Sequence, residues 1–147
     1  KLFLQRVVIM GLAISLPGFF VFYYFGAPAL TDGKVDDLLL TQAQTAAFWA
    51  ILFAHLGYVI SARSIYGSAL RLNPFSNRWL LAGIGLSIAI RIVPTIVPSA
   101  NDLFRTAPFP NEWWPLILMC FFPSFLAIET DKLIRRRYAT TLDLQSG

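Results

Sequence analysis

Apolar residues run along this chain in four long blocks, separated by short stretches that hold most of its charges. Val7–Phe25, "VVIMGLAISLPGFFVFYYF", contains no charged residue. Ala46–Ala62, "AAFWAILFAHLGYVISA", has one basic group, His55, the only histidine in the chain. Trp79–Pro98, "WLLAGIGLSIAIRIVPTIVP", contains Arg91. Trp113–Ile128, "WWPLILMCFFPSFLAI", is uncharged but short, and it draws length from a helix continuing through "ETDKLIRRR". A helix needs about 20 predominantly apolar residues to cross the hydrocarbon of a bilayer. Within lipid the backbone N–H and C=O groups find no other partners, so each block must be helical. The pattern predicts an all-α membrane protein of four transmembrane helices joined by short loops. The spans are placed at about 7–25, 44–63, 79–98 and 112–130, with a polar, frayed tail over 138–147.

The distribution of positive charge orients these spans. Taking the N-terminal side as inner, the inner segments hold Lys1, Arg6, Arg63, Arg71, Arg78, Lys132, Arg135, Arg136 and Arg137. The outer segments hold only Lys34 and Arg105, with Asp32, Asp36, Asp37, Asp102 and Glu112 beside them. Lysine and arginine collect on the cytoplasmic side of membrane proteins, so both termini are expected to be cytoplasmic. Trp79, Trp113, Trp114, Tyr23 and Tyr24 lie near span ends, where interfacial aromatic residues belong. Pro17, Pro94 and Pro123 fall inside spans and are expected to kink them or free a carbonyl. Small residues such as Gly11, Gly18, Gly83 and Gly85 are expected to admit close helix approach.

Composition agrees with a polytopic membrane protein. Hydrophobic residues make up 56% and charged residues only 14%, where a soluble domain carries about 25% charged residues. The net charge of +4 flanks apolar blocks, so it points to a membrane surface and not to nucleic acid. Cys120 is the single cysteine, which excludes an intrachain disulfide or a cysteine metal cluster. The first residue is Lys, so the chain reads as a piece of a longer or processed protein.

Candidate chemistry is sparse. The sequence has no phosphate-binding glycine loop, no metal-ligand spacing and no nucleophile–base constellation, so no catalytic residue is assigned. Polar groups inside spans are what remains, and an ionisable residue at membrane depth is a functional candidate by default. His55 lies near the middle of its span, where a neutral imidazole can pack structurally or serve a cation or proton pathway. Arg91 sits about seven residues from the outer end of its span, on the order of 10 Å. It must snorkel outward or pair with a carboxylate or carbonyl, and no span of this chain supplies an acidic partner. Glu129 stands at helical spacing from Lys132, so an ion pair is available there. The following Arg135–Arg137 run is expected to face anionic headgroups.

Five strings occur together in order: "AQTAAF", "ARS", "LNPFSNRWLLAGIGLSI", "IVPTIVPSANDLFRTAPFPNEWW" and "ETDKLIRRR". The set resembles the C-terminal transmembrane region of P-type cation-transporting ATPases, closest to the calcium-pump-like branch, from about Gln5 to Arg137. The resemblance implies the last four of ten membrane helices, with ATP and Mg used by cytoplasmic domains elsewhere and no cofactor in this piece. It implies as partners the remaining helices and cytoplasmic domains of the same pump, the lipid bilayer and the transported cation. It also implies a scaffold role, with no ATP hydrolysis or transport by this piece alone, in what is expected to be a prokaryotic plasma membrane. In calcium pumps the eighth helix can supply a carboxylate to a cation site, and that position corresponds here to His55. An imidazole is a poor ligand for a hard, oxygen-preferring cation, so the transported ion and its ligands stay open. Two other readings stand beside this one: a stand-alone four-helix membrane protein with an assembly role, and a small proton-coupled carrier using His55 and Arg91.

Overall fold

The computed structural model describes residues 2–33, 35–63 and 77–145. Lys1, Lys34 and Arg71 of the charge pattern, and residues 64–76 of the quoted strings, lie outside these. The described residues form six α-helices and no strands. These are α1 (Leu2–Gly26), α2 (Asp37–Ala62), α3 (Arg78–Ile96), α4 (Pro98–Phe104), α5 (Trp114–Met119) and α6 (Phe121–Gln145). Single 3-10 segments, Ala27–Gly33 and Asn111–Trp113, follow α1 and precede α5.

The helix ends follow from local chemistry. Asp36 begins α2, its carboxylate accepting from the Leu39 amide at 3.0 Å, with Asp37 favourably placed in the first turn. Apolarity alone places the start of this span near residue 44, and the cap sets it well upstream. Asn77 does the same for α3, accepting from the amides of Trp79 and Leu80 at 3.1 and 3.2 Å. Pro98 opens α4 at a position where a missing N–H costs nothing, and Arg105, with φ of 49°, closes it in the left-handed region.

Among the described residues three stretches are long and apolar enough to cross a membrane: Val7–Thr31, Asp37–Ala62 and Arg78–Ile96. The fourth expected span arrives in two pieces, α5 and α6, which meet at Cys120. Pro123 explains the break, because it has no N–H to give to the Met119 carbonyl. The chain tightens there instead, the Cys120 amide donating to the Ile117 carbonyl at 3.2 Å. Beyond the break α6 continues through the charged "ETDKLIRRR" segment, as expected, and runs on to Gln145 through most of the polar tail.

Helix α2 is central, packed by α1 on one side and by α5 and α6 on another, and α1 also touches α6. Val21, Ala46, Ala50, Trp49, Leu52 and Ile117 make the centre of the core. Gly18 and Gly57 set the two close crossings. A Cβ at Gly18 would lie 2.4 Å from the Ile51 side chain, and one at Gly57 would lie 2.2 Å from the Phe121 carbonyl oxygen. Helix α3 contains no buried residue and lies beside α2, and a Cβ at Gly83 or Gly85 would meet nothing within 4 Å. Trp113 and Trp114 turn inward and join an aromatic cluster: Trp113 stacks on Phe25 at 4.0 Å, and Trp114 meets Trp49 edge-on at 5.2 Å. Tyr23, Tyr24 and Trp79 stay exposed, consistent with interfacial positions.

Candidate functional site

The two faces of α2 differ in what they touch. Ala43, Ala46, Ala50, Ala54, Gly57 and Ser61 are buried against the neighbouring helices. Gln44, Phe48, Ile51 and His55 are exposed and follow one another at three- and four-residue steps, which puts them on a single helical face. His55 lies on this more exposed face, its ring stacked near that of Tyr58 with centroids 6.1 Å apart. The one imidazole of the chain is therefore held in the C-terminal half of a long apolar helix, seven residues before its end, but outside the packed core.

Arg91 lies beside the same face. Its Nη1 donates to the Phe48 carbonyl at 2.6 Å, and its guanidinium carbon lies 3.8 Å from the centroid of the Phe48 ring. Of the alternatives left open, outward snorkelling or pairing with a carboxylate or carbonyl, this chain supplies the carbonyl, supplemented by a cation–π contact. A half-open cavity of about 680 Å³ adjoins it, bounded by Gln44 and Phe48 of α2 and by residues of α3 and the α4 end.

Glu129 joins a buried network at the other end of α2. Its Oε1 accepts from the Lys132 ammonium at 2.8 Å and from the Ser61 hydroxyl at 2.6 Å. The same ammonium reaches the Ser61 carbonyl at 2.6 Å, and Lys132 is only 4% exposed. The helical spacing of Glu129 and Lys132 anticipated their pairing. The part played by Ser61, and the burial of a lysine expected to flank the membrane, did not show in the sequence. Asp131 and Arg135 form a second pair at 2.7 Å, on the more exposed side of α6. His55, Arg91 and Glu129 are thus not one constellation: His55 and Arg91 share the neighbourhood of the more exposed α2 face, and Glu129 belongs to the α2–α6 contact.

A further polar network closes the C-terminal end of α3. The Pro94 carbonyl lies in the last turn of α3, beyond which the extended Val97 ends the helical ladder; the Thr106 hydroxyl donates to it. Asn101 Nδ2 donates to the Thr95 carbonyl at 3.3 Å, and Trp49 Nε1 donates to the Thr95 hydroxyl at 3.0 Å. The Thr45 hydroxyl accepts from the Ala107 amide at 3.0 Å, tying the following loop to α2. Sequence reasoning missed Thr106 and Asn101; Pro98, just past the end of α3, was the signal that a cap is needed there.

These groups can hold helices in register and present one polar side chain to a neighbour. Among the described residues no group of three His, Cys, Asp or Glu side chains is placed to hold a metal ion.

Comparison with known proteins agrees with this arrangement. The family described as "Cation transporting ATPase, C-terminus" matches residues 1–134. The chain is 32% identical over 97 residues to "Probable cation-transporting ATPase F" of Mycobacterium tuberculosis (strain ATCC 25618 / H37Rv), covering 66% of this chain and 11% of that protein. It is 34% identical over 88 residues to "Calcium-transporting ATPase" of Bacillus subtilis (strain 168), covering 59% of this chain and 10% of that protein. The matched region is about a tenth of each curated relative's length. The chain belongs to the cation-transporting ATPase C-terminus family and is a C-terminal, membrane-integral region of a P-type ATPase.

Proposed function

We propose that this chain is the scaffold half of the membrane domain of an ATP-driven cation pump. In this reading it crosses the membrane four times, α5 and α6 together making the last crossing, with both termini in the cytoplasm. It buttresses the helices that bind the cation and does not hydrolyse ATP or transport by itself. The remaining helices and cytoplasmic domains of the pump are its partners, and a prokaryotic plasma membrane is its location, in keeping with its bacterial relatives.

One observation carries the proposal: α2 keeps the His55 side chain exposed among the described residues, while Ala54, Leu56 and Gly57 beside it are buried. An ionisable residue at that depth needs polar company, and the helices of the rest of the pump supply it. His55 then borders the cation path, as a ligand or as a proton-accepting group.

A split-protein experiment tests this. The chain and the remainder of the pump are expressed as separate polypeptides, alone and together. Cation-stimulated ATP hydrolysis is expected only when both are present. Hydrolysis or transport by this chain alone would overturn the scaffold reading, as would full activity of the remainder without it.

A further inference from the structure

We infer that the cavity between α2 and the α3–α4 corner is a binding site for one anionic phospholipid, held by Arg91 and Arg105. Both arginines line this cavity of about 680 Å³, and no acidic residue does. Gln44 and Thr106 add polar groups near them, while Ile90, Val93 and Phe104 give it apolar walls. Cationic heads beside an apolar wall match an amphiphile: phosphate at one end, acyl chain along the other.

The donors are available. Arg91 carries five N–H groups in a planar fork, and its one hydrogen bond is to the Phe48 carbonyl. Its stacking on Phe48 holds the fork in place without consuming further donors. Arg105 is exposed at the end of α4, fixed in a left-handed backbone conformation, and has no ion-pair partner among the described residues. Two arginines facing one space repel each other unless an anion sits between them, and a phosphodiester accepts from both.

The surroundings favour a lipid over a soluble anion. Arg91 lies inside α3, five residues before its C-terminal end, so a free phosphate would have to shed water to reach it. A lipid phosphate already lies at headgroup depth, and long arginine side chains extend to meet it. Ile90 and Val93 are 61% and 50% exposed along the wall that an acyl chain would follow. This inference rests on the chain being membrane-integral and does not depend on its role in a pump.

The test uses the full-length protein, purified, stripped of lipid and offered equimolar phosphatidylglycerol and phosphatidylcholine. Retained lipid is counted by native mass spectrometry for the parent and for the Arg91→Gln/Arg105→Gln variant. The parent is expected to keep one phosphatidylglycerol in preference to phosphatidylcholine by on the order of tenfold. The double variant is expected to lose that preference, and Arg105→Gln alone, which leaves the Arg91–Phe48 contact in place, to weaken it at an unchanged unfolding midpoint in detergent. Equal retention of the two lipids, or an unchanged preference in the double variant, would overturn the inference. Displacement of the lipid by millimolar inorganic phosphate would also overturn it, in favour of a soluble anion. No retained lipid together with a lowered midpoint in the double variant would overturn it in favour of a carboxylate from another helix.

Discussion

Lys132 and Ser61 stand 71 positions apart in the chain, yet the lysine ammonium donates to the serine carbonyl at 2.6 Å and to its hydroxyl at 3.3 Å. This contact ties the end of α2 to α6, and Glu129 supplies the counter-charge. Glu129→Gln keeps the shape but leaves the buried ammonium without an ionised partner. Removing one member of a buried pair costs about 3–5 kcal/mol. Equilibrium unfolding in detergent–SDS mixtures is expected to show a loss in that range. Adding Lys132→Met should recover part of it, and a Glu129→Gln variant as stable as the parent would refute the arrangement.

The two close glycine crossings should respond differently to alanine. At Gly57 the new Cβ would strike the Phe121 backbone carbonyl and the Ser124 hydroxyl, at 2.2 and 2.8 Å. Backbone cannot give way there without parting α2 from α6, and Ser124 would lose its hydrogen bond to the Ala54 carbonyl. At Gly18 the nearest atoms are the side chain of Ile51, which can change rotamer. Gly57→Ala is expected to lower the unfolding midpoint and yield sharply, by about 1–3 kcal/mol or more, and Gly18→Ala by less. The reverse order would contradict the packing.

Thr106 caps the end of α3 through its hydroxyl. Thr106→Val leaves the Pro94 carbonyl unpaired, at a cost of about 1–3 kcal/mol. Thr106→Ser keeps the hydroxyl and should cost less in the same unfolding measurement. Equal losses in the two variants would show that the hydroxyl does not pair that carbonyl.

Topology is checked by labelling introduced cysteines in a Cys120→Ser background. Asp102 and Arg137 are both exposed positions. In intact cells an impermeant maleimide is expected to label Asp102→Cys, and to label Arg137→Cys only after permeabilisation. Labelling of both from outside would exclude a cytoplasmic C-terminus.

The helical class and the positions of the first three spans were legible because lipid demands long apolar helices, and apolar runs are visible in a sequence. The interruption at Cys120 was less so. Residues on both sides are apolar, and only Pro123 marked it. The face of α2 on which His55 lies could not be read from periodicity, because a lipid-facing or partner-facing surface is as apolar as a core. Phe48 and Ile51 on the more exposed face look no different from Trp49 and Leu52 on the buried one. Glu129 and Lys132 pair within one helix turn and were accessible to spacing rules. Their joint contact with Ser61 depends on how α2 and α6 cross, which no local pattern encodes. Trp113 and Trp114 were expected at an interface, and they join the Phe25 and Trp49 aromatic cluster because the break at Cys120 brings α5 against α2.

The central claim is that the exposed His55 side chain of α2 borders the cation path of a pump. His55→Ala in the full-length protein tests it most directly, through cation-stimulated ATP hydrolysis measured across a range of cation concentrations. An imidazole on the path ligates the ion or relays a proton, so the variant should show an altered apparent cation affinity at unchanged folded yield. An affinity identical to the parent's would contradict the account.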